Sequence, residues 1–328
     1  MILEPIEASL FEAESPELQE ALLYSGAVPV ADPIFQLWNL PEGTRTVILI
    51  GGRGGMKTYT VSQFIAYQAA VNKKRCAILR DEKARLKETI LSEILQRFDN
   101  IPFNTNVTRL ENGLNDRESK NSLVFTMGFR ASDKKKTANL KGLSNIDIAV
   151  IEEAEDIRDV QKYNNFADSL RKQGRLVIII LNTPDLGHWI IKRFFNAIPV
   201  AVPEDIPKQY HKEFEDFFDI IPKDIPGFVC IKTNFENNPY LPTETVHEYN
   251  QYGNPKSDSF DPHHYMTAIK GYSSSGRKGQ ILKKVKLITL EEYMALPYRE
   301  HYGQDFGTAS PAGLVGYKVH KNQSWCRE

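Results

Sequence analysis

The sequence predicts an α/β fold built on a central, mainly parallel β-sheet. Apolar segments of strand length alternate along the chain with segments of helical periodicity. The apolar segments, such as residues 76–80 and 176–181, carry few polar residues, which is typical of parallel strands covered by helices on both faces. The first of them, residues 46–50, runs into a glycine-rich loop and then a helical segment, the order that a phosphate-binding loop requires.

The individual elements follow from the same patterns. Strands are predicted at residues 46–50, 76–80, 107–110, 123–127, 146–151, 176–181, 227–233, 302–306 and 313–320. Helices are predicted at residues 57–71, 84–98, 160–172, 188–195, 242–252 and 262–270. A polar turn is expected between the third and fourth strands. Residues 199–226 form a loop rich in Pro and acidic residues, whose length indicates a lid or a partner surface.

Composition limits the class of protein without naming a function. The chain has 328 residues, a net charge of −1 and three cysteines with no metal-binding spacing. Because the net charge is so small, any nucleic acid would have to meet local basic patches. A signal peptide and a long apolar span are both missing from the sequence, so we expect a soluble, intracellular protein without membrane contact.

A glycine-rich loop follows the first strand. Its residues, with the two that open the next helix, are Gly51, Gly52, Arg53, Gly54, Gly55, Met56, Lys57 and Thr58. Glycines let successive backbone N–H groups point at one phosphate, and the helix N-terminus adds a positive dipole. In this pattern Lys57 reaches the β- and γ-phosphates and Thr58 ligates Mg²⁺. Met56 stands where a second glycine is usual, so an ordinary glycine-rich turn is the alternative interpretation.

Two acidic residues follow the fifth predicted strand, which we expect to neighbour the first. Glu152 and Glu153 come at its carboxyl end, the edge at which open α/β sheets bind ligands. There Glu152 can hold Mg²⁺ through a water shared with Thr58. Glu153 can orient and deprotonate the water that attacks a γ-phosphate. For Glu155 and Asp156 we prefer another interpretation, an acidic helix N-terminus stabilised by the helix dipole.

Two further features are each open to two interpretations. Asn182 ends the strand at residues 176–181, where it either touches the γ-phosphate or attacking water, or simply terminates the strand as Asn often does. Phe35 and Trp38 precede the first strand, where they either stack on a nucleotide base or contact the core.

Several segments occur in the order found in one protein family. They are the loop at residues 51–58, Leu140-Lys141-Gly142-Leu143, the acidic strand end at residues 151–155, Asn182-Thr183-Pro184, residues 235–242 and residues 302–307. On these motifs, which cover about residues 35–320, the chain resembles the large terminase subunit of tailed bacteriophages. That protein is the ATP-driven motor that packages DNA into the procapsid.

The resemblance implies a fold and residue roles beyond what spacing indicates. It implies an ATPase domain of the RecA-like type, then a small lid subdomain, then an RNase H-like nuclease. It places Lys57 and Thr58 on the phosphates and Mg²⁺. It puts Glu152 at the Mg²⁺-associated acid, Glu153 at the catalytic glutamate, and Asn182 at the coupling position that senses hydrolysis.

The resemblance also implies a ring-shaped assembly and its partners. Such motors form rings, usually pentameric, on the capsid portal. They work with ATP, Mg²⁺, double-stranded viral DNA, the portal protein and procapsid, and the small terminase subunit, in the cytoplasm of the infected bacterium. Arg53 is a candidate for stabilising transition-state charge, and Arg130 is a candidate for the arginine finger that acts between subunits.

A basic loop follows Arg130. Its lysines are Lys134, Lys135, Lys136 and Lys141. Clustered cations at the edge of an ATPase can bind DNA phosphates without sequence preference, which suits a motor that moves any sequence. A solvated loop is the alternative interpretation.

The C-terminal part resembles the start of the family's nuclease. Asp305 falls where that domain has its first metal-binding aspartate, and cleavage by two divalent ions needs several carboxylates. Since the sequence ends at Glu328, we expect an incomplete nuclease that does not cut DNA, and weak ATP hydrolysis without partners. The predicted organisation is an acidic arm (1–34), an ATPase core (35–200), a lid (201–270), a linker (271–298) and a nuclease hairpin (299–328).

Two other classes of protein share the phosphate-binding loop. A helicase or recombination ATPase would separate strands and would leave residues 302–307 without a role. A non-catalytic, nucleotide-gated assembly protein would bind ATP only to order a ring, with Met56 preventing hydrolysis.

Overall fold

The apolar segments predicted from the sequence form the strands of one central sheet. A computed structural model of the protein describes residues 4–7, 14–16, 27–30, 32–82, 86, 88–101, 105–129, 143–202, 206–276, 289–305, 313–320 and 323–327. In chain order its strands are β1 (Glu4–Glu7), β2 (Ala27–Val30), β3 (Thr46–Gly51), β4 (Cys76–Arg80), β5 (Val107–Leu110), β6 (Gly113–Asp116), β7 (Ser122–Gly128), β8 (Ile148–Ile151), β9 (Leu176–Asn182), β10 (Phe195–Pro199), β11 (Phe217–Pro222), β12 (Phe228–Thr233), β13 (Ser273–Ser274), β14 (Glu300–Asp305), β15 (Gly313–His320) and β16 (Gln323–Arg327).

The helices lie between these strands along the chain. The α-helices are α1 (Asp32–Phe35), α2 (Lys57–Ala70), α3 (Ile90–Asp99), α4 (Val160–Ser169), α5 (Trp189–Phe194), α6 (Thr243–Gly253), α7 (Pro262–His264) and α8 (Leu290–Ala295). Short 3-10 helices lie at Ala154–Asp156, Lys208–Glu213 and Phe235–Asn237, and a π-helical turn at Tyr265–Ile269. The helix predicted at residues 84–98 is shorter than expected and begins at Ile90. None of the helices described is both long enough and apolar enough to cross a membrane.

The central sheet is mainly parallel, as predicted. Its strand order is β12-β3-β9-β8-β4-β7-β6-β5. The pairs from β12 to β7 are parallel, and β7, β6 and β5 are joined by antiparallel pairs. The polar turn expected between the third and fourth predicted strands contains β6, so that prediction was wrong in part. The pattern hid β6 because only its first two residues are buried.

Two core clusters cover the two faces of the sheet. In β3, Val47 and Leu49 pack into one cluster with α2 and α3, whereas Ile48 and Ile50 pack into the other with α4 and α5. Successive side chains of a strand point to opposite faces, so a strand covered on both faces must be apolar throughout. This is why the strand pattern was legible in the sequence. Trp38 joins the first cluster and makes edge-to-face contacts with Phe64 and Tyr67, which favours the core interpretation of this residue.

A second, smaller sheet has one strand, β11, in the region expected to be a lid, one in the predicted ATPase core and one in the predicted linker. Strands β10, β11 and β13 form it, with antiparallel pairs throughout. A separate apolar cluster accompanies it, formed by Ile206, Phe214, Phe217 and Met266. Strand β11 lies inside the predicted loop at residues 199–226, so that stretch is partly regular structure. Strand β12, which also falls between residues 201 and 270, belongs to the central sheet.

The chain divides into two compact units, Met1–Gly276 and Arg277–Glu328. In the first unit, the short strands β1 and β2 pair in parallel near the N-terminus. The second unit contains α8 and an antiparallel sheet of β14, β15 and β16. Strand β13 and helix α8 both lie within the stretch predicted as a linker (271–298), which is therefore not irregular throughout.

Candidate active site

The glycine-rich loop begins at the last residue of β3 and ends at α2. Its backbone uses conformations that favour glycine, with φ of 141° at Gly51 and 76° at Gly54. Met56 precedes the helix and is left-handed as well, with φ 58° and ψ 15°. A left-handed residue other than glycine costs about 1–2 kcal/mol, which is the physical reason that glycine is favoured at this position.

Two glycines of the loop are required by close contacts with other segments. A Cβ atom on Gly51 would lie 1.9 Å from the carbonyl oxygen of Thr233. A Cβ atom on Gly52 would lie 1.8 Å from the carbonyl oxygen of Ile269. The end of β12 and the π-helical turn therefore pack directly on the loop backbone.

Hydrogen bonds with the same two segments, and with Asn238 after the 3-10 helix Phe235–Asn237, hold the loop from outside. The Arg53 N–H donates to the Ala268 carbonyl at 2.8 Å. The Asn238 side chain donates to the Gly54 carbonyl at 2.7 Å, and the Thr233 hydroxyl donates to the Gly55 carbonyl at 3.2 Å. The family-like segment at residues 235–242 thus contacts the loop, a role that the sequence did not reveal.

Lys57 is buried under the loop. Its Nζ donates to the carbonyls of Gly52 at 2.5 Å and Gly51 at 3.3 Å, and to the Asn182 side-chain oxygen at 3.4 Å. Burial lowers the pKa of Lys57 to about 8, and the charge of Glu155 opposes this shift. A cation of this kind is favourable only when an anion compensates its burial.

Asn182 connects the loop to the acidic end of β8. It pairs with Gly51 in the sheet, because β9 lies directly beside β3. Its backbone N–H and its side-chain Nδ2 both donate to Glu155 Oε1, at 3.2 and 3.0 Å. Glu155 is therefore more than an acid at a helix N-terminus. Burial raises its pKa.

Glu152 and Glu153 follow β8, one strand further from the loop than expected. The sequence predicts their strand next to β3, but β9 lies between the two strands. Glu152 is buried, accepts a hydrogen bond from the Thr89 hydroxyl at 2.9 Å, and has a pKa raised chiefly by burial. A carboxylate in such a site is held by its hydrogen bonds and by nearby cations.

Glu153 is paired with Arg80, the last residue of β4. The Arg80 guanidinium contacts the Glu153 carboxylate through Nη2 and lies 3.8 Å from Glu152 through Nη1. Glu153 is left-handed, with φ 47°, and precedes the 3-10 helix. Arg80 was missed in the sequence, although the same signal that identified Glu152 was present, a charged residue at the carboxyl end of an apolar strand.

A hydroxyl and a carboxylate are available for a magnesium ion. Thr58 lies in the first turn of α2, and Glu152 directly follows β8. Magnesium in phosphoryl-transfer sites is usually bound by one or two protein oxygens together with substrate phosphates, so this donor set fits it. Within the described part of the chain there is no cluster of three or more His, Cys, Asp or Glu side chains suited to a metal.

The other predicted site residues lie on the loop, outside the described residues and in the second unit. Arg53 is exposed on the loop. Arg130, Lys134, Lys135, Lys136 and Lys141 lie outside the described residues. Asp305 ends β14 in the second unit, where it pairs with Gly313.

Comparison with known structures gives relatives of the fold. Large terminase from a thermophilic bacteriophage matches with a TM-score of 0.51 and 12% identity, covering 92% of this chain and 69% of that chain. The same phage protein in complex with ATP-gamma-S matches with a TM-score of 0.50 and 11% identity, covering 92% and 68%. At such low sequence identity, the structural similarity shows a shared fold. Among curated proteins, none matches the chain significantly.

A protein-family model matches a longer stretch than any single motif. The model for the phage terminase large subunit covers residues 44–272, which include the loop, the acidic strand end, Asn182 and strands β10 and β11 of the small sheet. The chain therefore belongs to the phage terminase large subunit family.

Proposed function

We propose that this chain is an ATP-hydrolysing motor subunit that moves double-stranded viral DNA into procapsids. The observation that carries the proposal is the contact of Lys57 with Asn182 at 3.4 Å. It joins the phosphate-binding loop to the end of β9, the strand next to β8, which the proposed catalytic acids follow. Glu155, on the chain segment after β8, completes this connection. The family and the phage terminase structure with ATP-gamma-S support ATP as the substrate.

In this proposal each residue at the sheet edge has one task. The loop amides and Lys57 bind the phosphates, while Thr58 and Glu152 hold Mg²⁺. The ion neutralises phosphate charge when bound. Glu153 accepts a proton from the attacking water. Arg80 holds the Glu153 carboxylate at the end of β8 by direct ion pairing.

Arginines and lysines complete the proposed motor. Arg53 stabilises transition-state charge from the loop, and Arg130 reaches a neighbouring subunit as an arginine finger in a pentameric ring. The lysines Lys134, Lys135, Lys136 and Lys141 bind DNA phosphates. The ring acts on the portal of the procapsid, with the small terminase subunit as a partner, in the cytoplasm of the infected host.

Asp305 is the proposed first metal-binding carboxylate of a nuclease site for two divalent ions. The antiparallel pairing of β14 and β15 supports this, since it agrees with the hairpin predicted there. This chain is expected not to cut DNA. Plasmid nicking with Mn²⁺ that is lost in Asp305→Ala would overturn that expectation and would assign the metal-binding role to Asp305.

The decisive variant for the ATPase is Glu153→Gln. We expect it to bind ATP as the wild type does but to lose DNA-stimulated phosphate release by roughly 100-fold or more, since an amide cannot accept the proton. Phosphate release and ATP affinity are measured on the same preparation. ATP binding without turnover in either protein would favour the non-catalytic assembly protein, and equal, measurable turnover in the two proteins would contradict the role of Glu153. Strand separation without packaging into empty procapsids would favour a helicase.

A further inference from the structure

We propose that Glu155 is a positioning residue that fixes the orientation of the Asn182 side-chain amide. This inference rests on the proposed ATPase function. The family resemblance gives no role to the Glu155 carboxylate. In this proposal the carboxylate acts through Asn182 rather than on the substrate.

The end of β9 leaves Asn182 beyond the ladder that joins β9 to β8. That ladder ends at the pair Ile151 and Ile179, three residues before Asn182. On its other side Asn182 is paired with Gly51 of β3. Glu155 Oε1 takes up both the backbone N–H of Asn182, at 3.2 Å, and its Nδ2 group, at 3.0 Å. One carboxylate oxygen therefore fixes both the strand end and the side chain.

The two neighbours of the Asn182 amide permit only one orientation. An ammonium group can only donate hydrogen bonds, and a carboxylate can only accept them. Lys57 Nζ lies 3.4 Å from Asn182 Oδ1, while Glu155 Oε1 lies 3.0 Å from Nδ2. The oxygen of the amide must therefore face Lys57. A flipped amide would place its NH₂ group against the ammonium and its oxygen against the carboxylate.

The local backbone brings Glu155 to this place. The left-handed Glu153, with φ 47°, ends the strand direction of β8, and the 3-10 helix Ala154–Asp156 then turns the chain toward β9. Ala154 is buried, and the Trp189 indole donates to the Ile157 carbonyl just after the turn. Both ends of the turn are thus anchored, and Glu155 has little freedom to leave Asn182.

The cost of this arrangement indicates a function beyond stability. Glu155 Oε2 is shielded from solvent and has no hydrogen-bond partner among the residues described. Leaving such an oxygen unpaired is unfavourable. In exchange for this cost, the Asn182 side-chain oxygen is oriented as a hydrogen-bond acceptor beside Lys57. When Lys57 binds a phosphate, Glu155 still holds the amide, so Asn182 keeps its oxygen toward the lysine and the attacking water.

A double-mutant cycle on the full chain tests the inference. The variants are Glu155→Ala, Asn182→Ala and the double variant, with the nearly isosteric Glu155→Gln in case the alanine change impairs folding. Asp156→Asn removes the adjacent, exposed negative charge and serves as the matched control. The measurements are kcat and KM for DNA-stimulated ATP hydrolysis, and the ratio of affinities for ATP-gamma-S and ADP by calorimetry.

We expect Glu155→Ala to lower kcat by roughly 10- to 100-fold with KM within about twofold, and Glu155→Gln to lower it less. The double variant should be no slower than Asn182→Ala alone, because Glu155 acts through that residue. The control should behave as the wild type. A double variant that multiplies the two single losses, or a Glu155→Ala enzyme with wild-type kcat, would overturn the inference.

The two proposals fail in different ways. If the wild type binds ATP-gamma-S without hydrolysing ATP, the proposed function is wrong. The double-mutant cycle is then evaluated with the ratio of affinities for ATP-gamma-S and ADP instead of kcat. If Glu155→Ala and Asn182→Ala change this affinity ratio by the same factor, and the double variant changes it no further, the result still supports Glu155 as a positioning residue. Independent shifts contradict it.

Discussion

At the scale of single residues, the site concentrates charges that are unfavourable for folding. Lys57 and Glu152 are both buried, and burial shifts the pKa of each toward its neutral form. Their partners at this edge of the sheet, Asn182 for the lysine and Arg80 for the acid, reduce this cost. Charged groups retained at such a cost are typical of catalytic sites.

The free energy of unfolding of the nucleotide-free protein should depend on pH through the ionisation of Lys57. Its pKa is lowered from 10.5 to about 8 in the folded state, which costs about 3 kcal/mol below pH 8, where both states are protonated. Between pH 8 and 10.5 only the unfolded chain retains the proton, so this penalty falls as the pH rises. We expect the stability advantage of Lys57→Met over wild type to shrink by about 2 kcal/mol from pH 7 to 9.5. Urea unfolding with EDTA measures it, and a constant difference would contradict the shift.

Arg80 should be important for stability as well as for the position of Glu153. Its side chain is only 5% exposed, and its removal leaves Glu152 and Glu153 without their shared cation. We expect Arg80→Met to cost about 3 kcal/mol in urea unfolding. The control is Arg109→Met, which breaks the exposed pair with Asp99 and should cost less than about 1 kcal/mol. Equal losses in the two variants would show that Arg80 is not a structural cation.

At the scale of elements, the phosphate-binding loop is held between two segments that come more than 170 residues later in the chain. The end of β12 contacts Gly51 and Gly55, and the π-helical turn contacts Gly52 and Arg53. Motion of the loop on binding a nucleotide must therefore act on both segments. This couples the central sheet to the region of the small sheet.

Gly52→Ala tests this coupling. The added Cβ atom would lie 1.8 Å from the Ile269 carbonyl oxygen, so the loop and the π-helical turn must separate. We expect a loss of stability of at least about 3 kcal/mol and weaker nucleotide binding. Gly174→Ala is the control, since its φ is 71° and no atom lies within 4 Å of the new Cβ, and it should cost about 1 kcal/mol. A Gly52→Ala protein as stable as this control would contradict the packing.

At the scale of the whole molecule, the three apolar clusters all lie within the first unit. Their buried members extend from Ile34 to Met266, whereas the unit ends at Gly276. The residues that contact the phosphate-binding loop lie in that unit too. Folding and nucleotide binding should therefore be properties of the first unit.

A fragment of residues 1–276 should fold by itself. We expect cooperative unfolding and an ATP-gamma-S affinity within about threefold of the full chain, because the phosphate-binding loop, Asn182 and the acids after β8 all belong to the first unit. Calorimetry on both proteins makes the comparison. A fragment that fails to fold, or that binds nucleotide more than tenfold more weakly, would show that the second unit contributes to the site.

Much of the fold was predictable because the central strands are buried on both faces. Strand β4 has the predicted bounds, and β3 and β9 differ from prediction by one residue. Strand β6 was not predictable, since it lies next to the edge strand β5 and two of its four residues are only partly buried. The loop and the two acids after β8 could be located because each directly follows the carboxyl end of an apolar strand.

The amino-acid pattern alone was enough to predict most strands of the central sheet, the position of the glycine-rich loop, and the strand ends that carry acids. These properties depend on local composition and on the alternation of buried residues. Three features became known from the three-dimensional structure: β9 separates β3 from β8, Arg80 pairs with Glu153, and Glu155 binds Asn182. Strand order and side-chain pairing are set by contacts between residues far apart in the chain, and no local pattern records them.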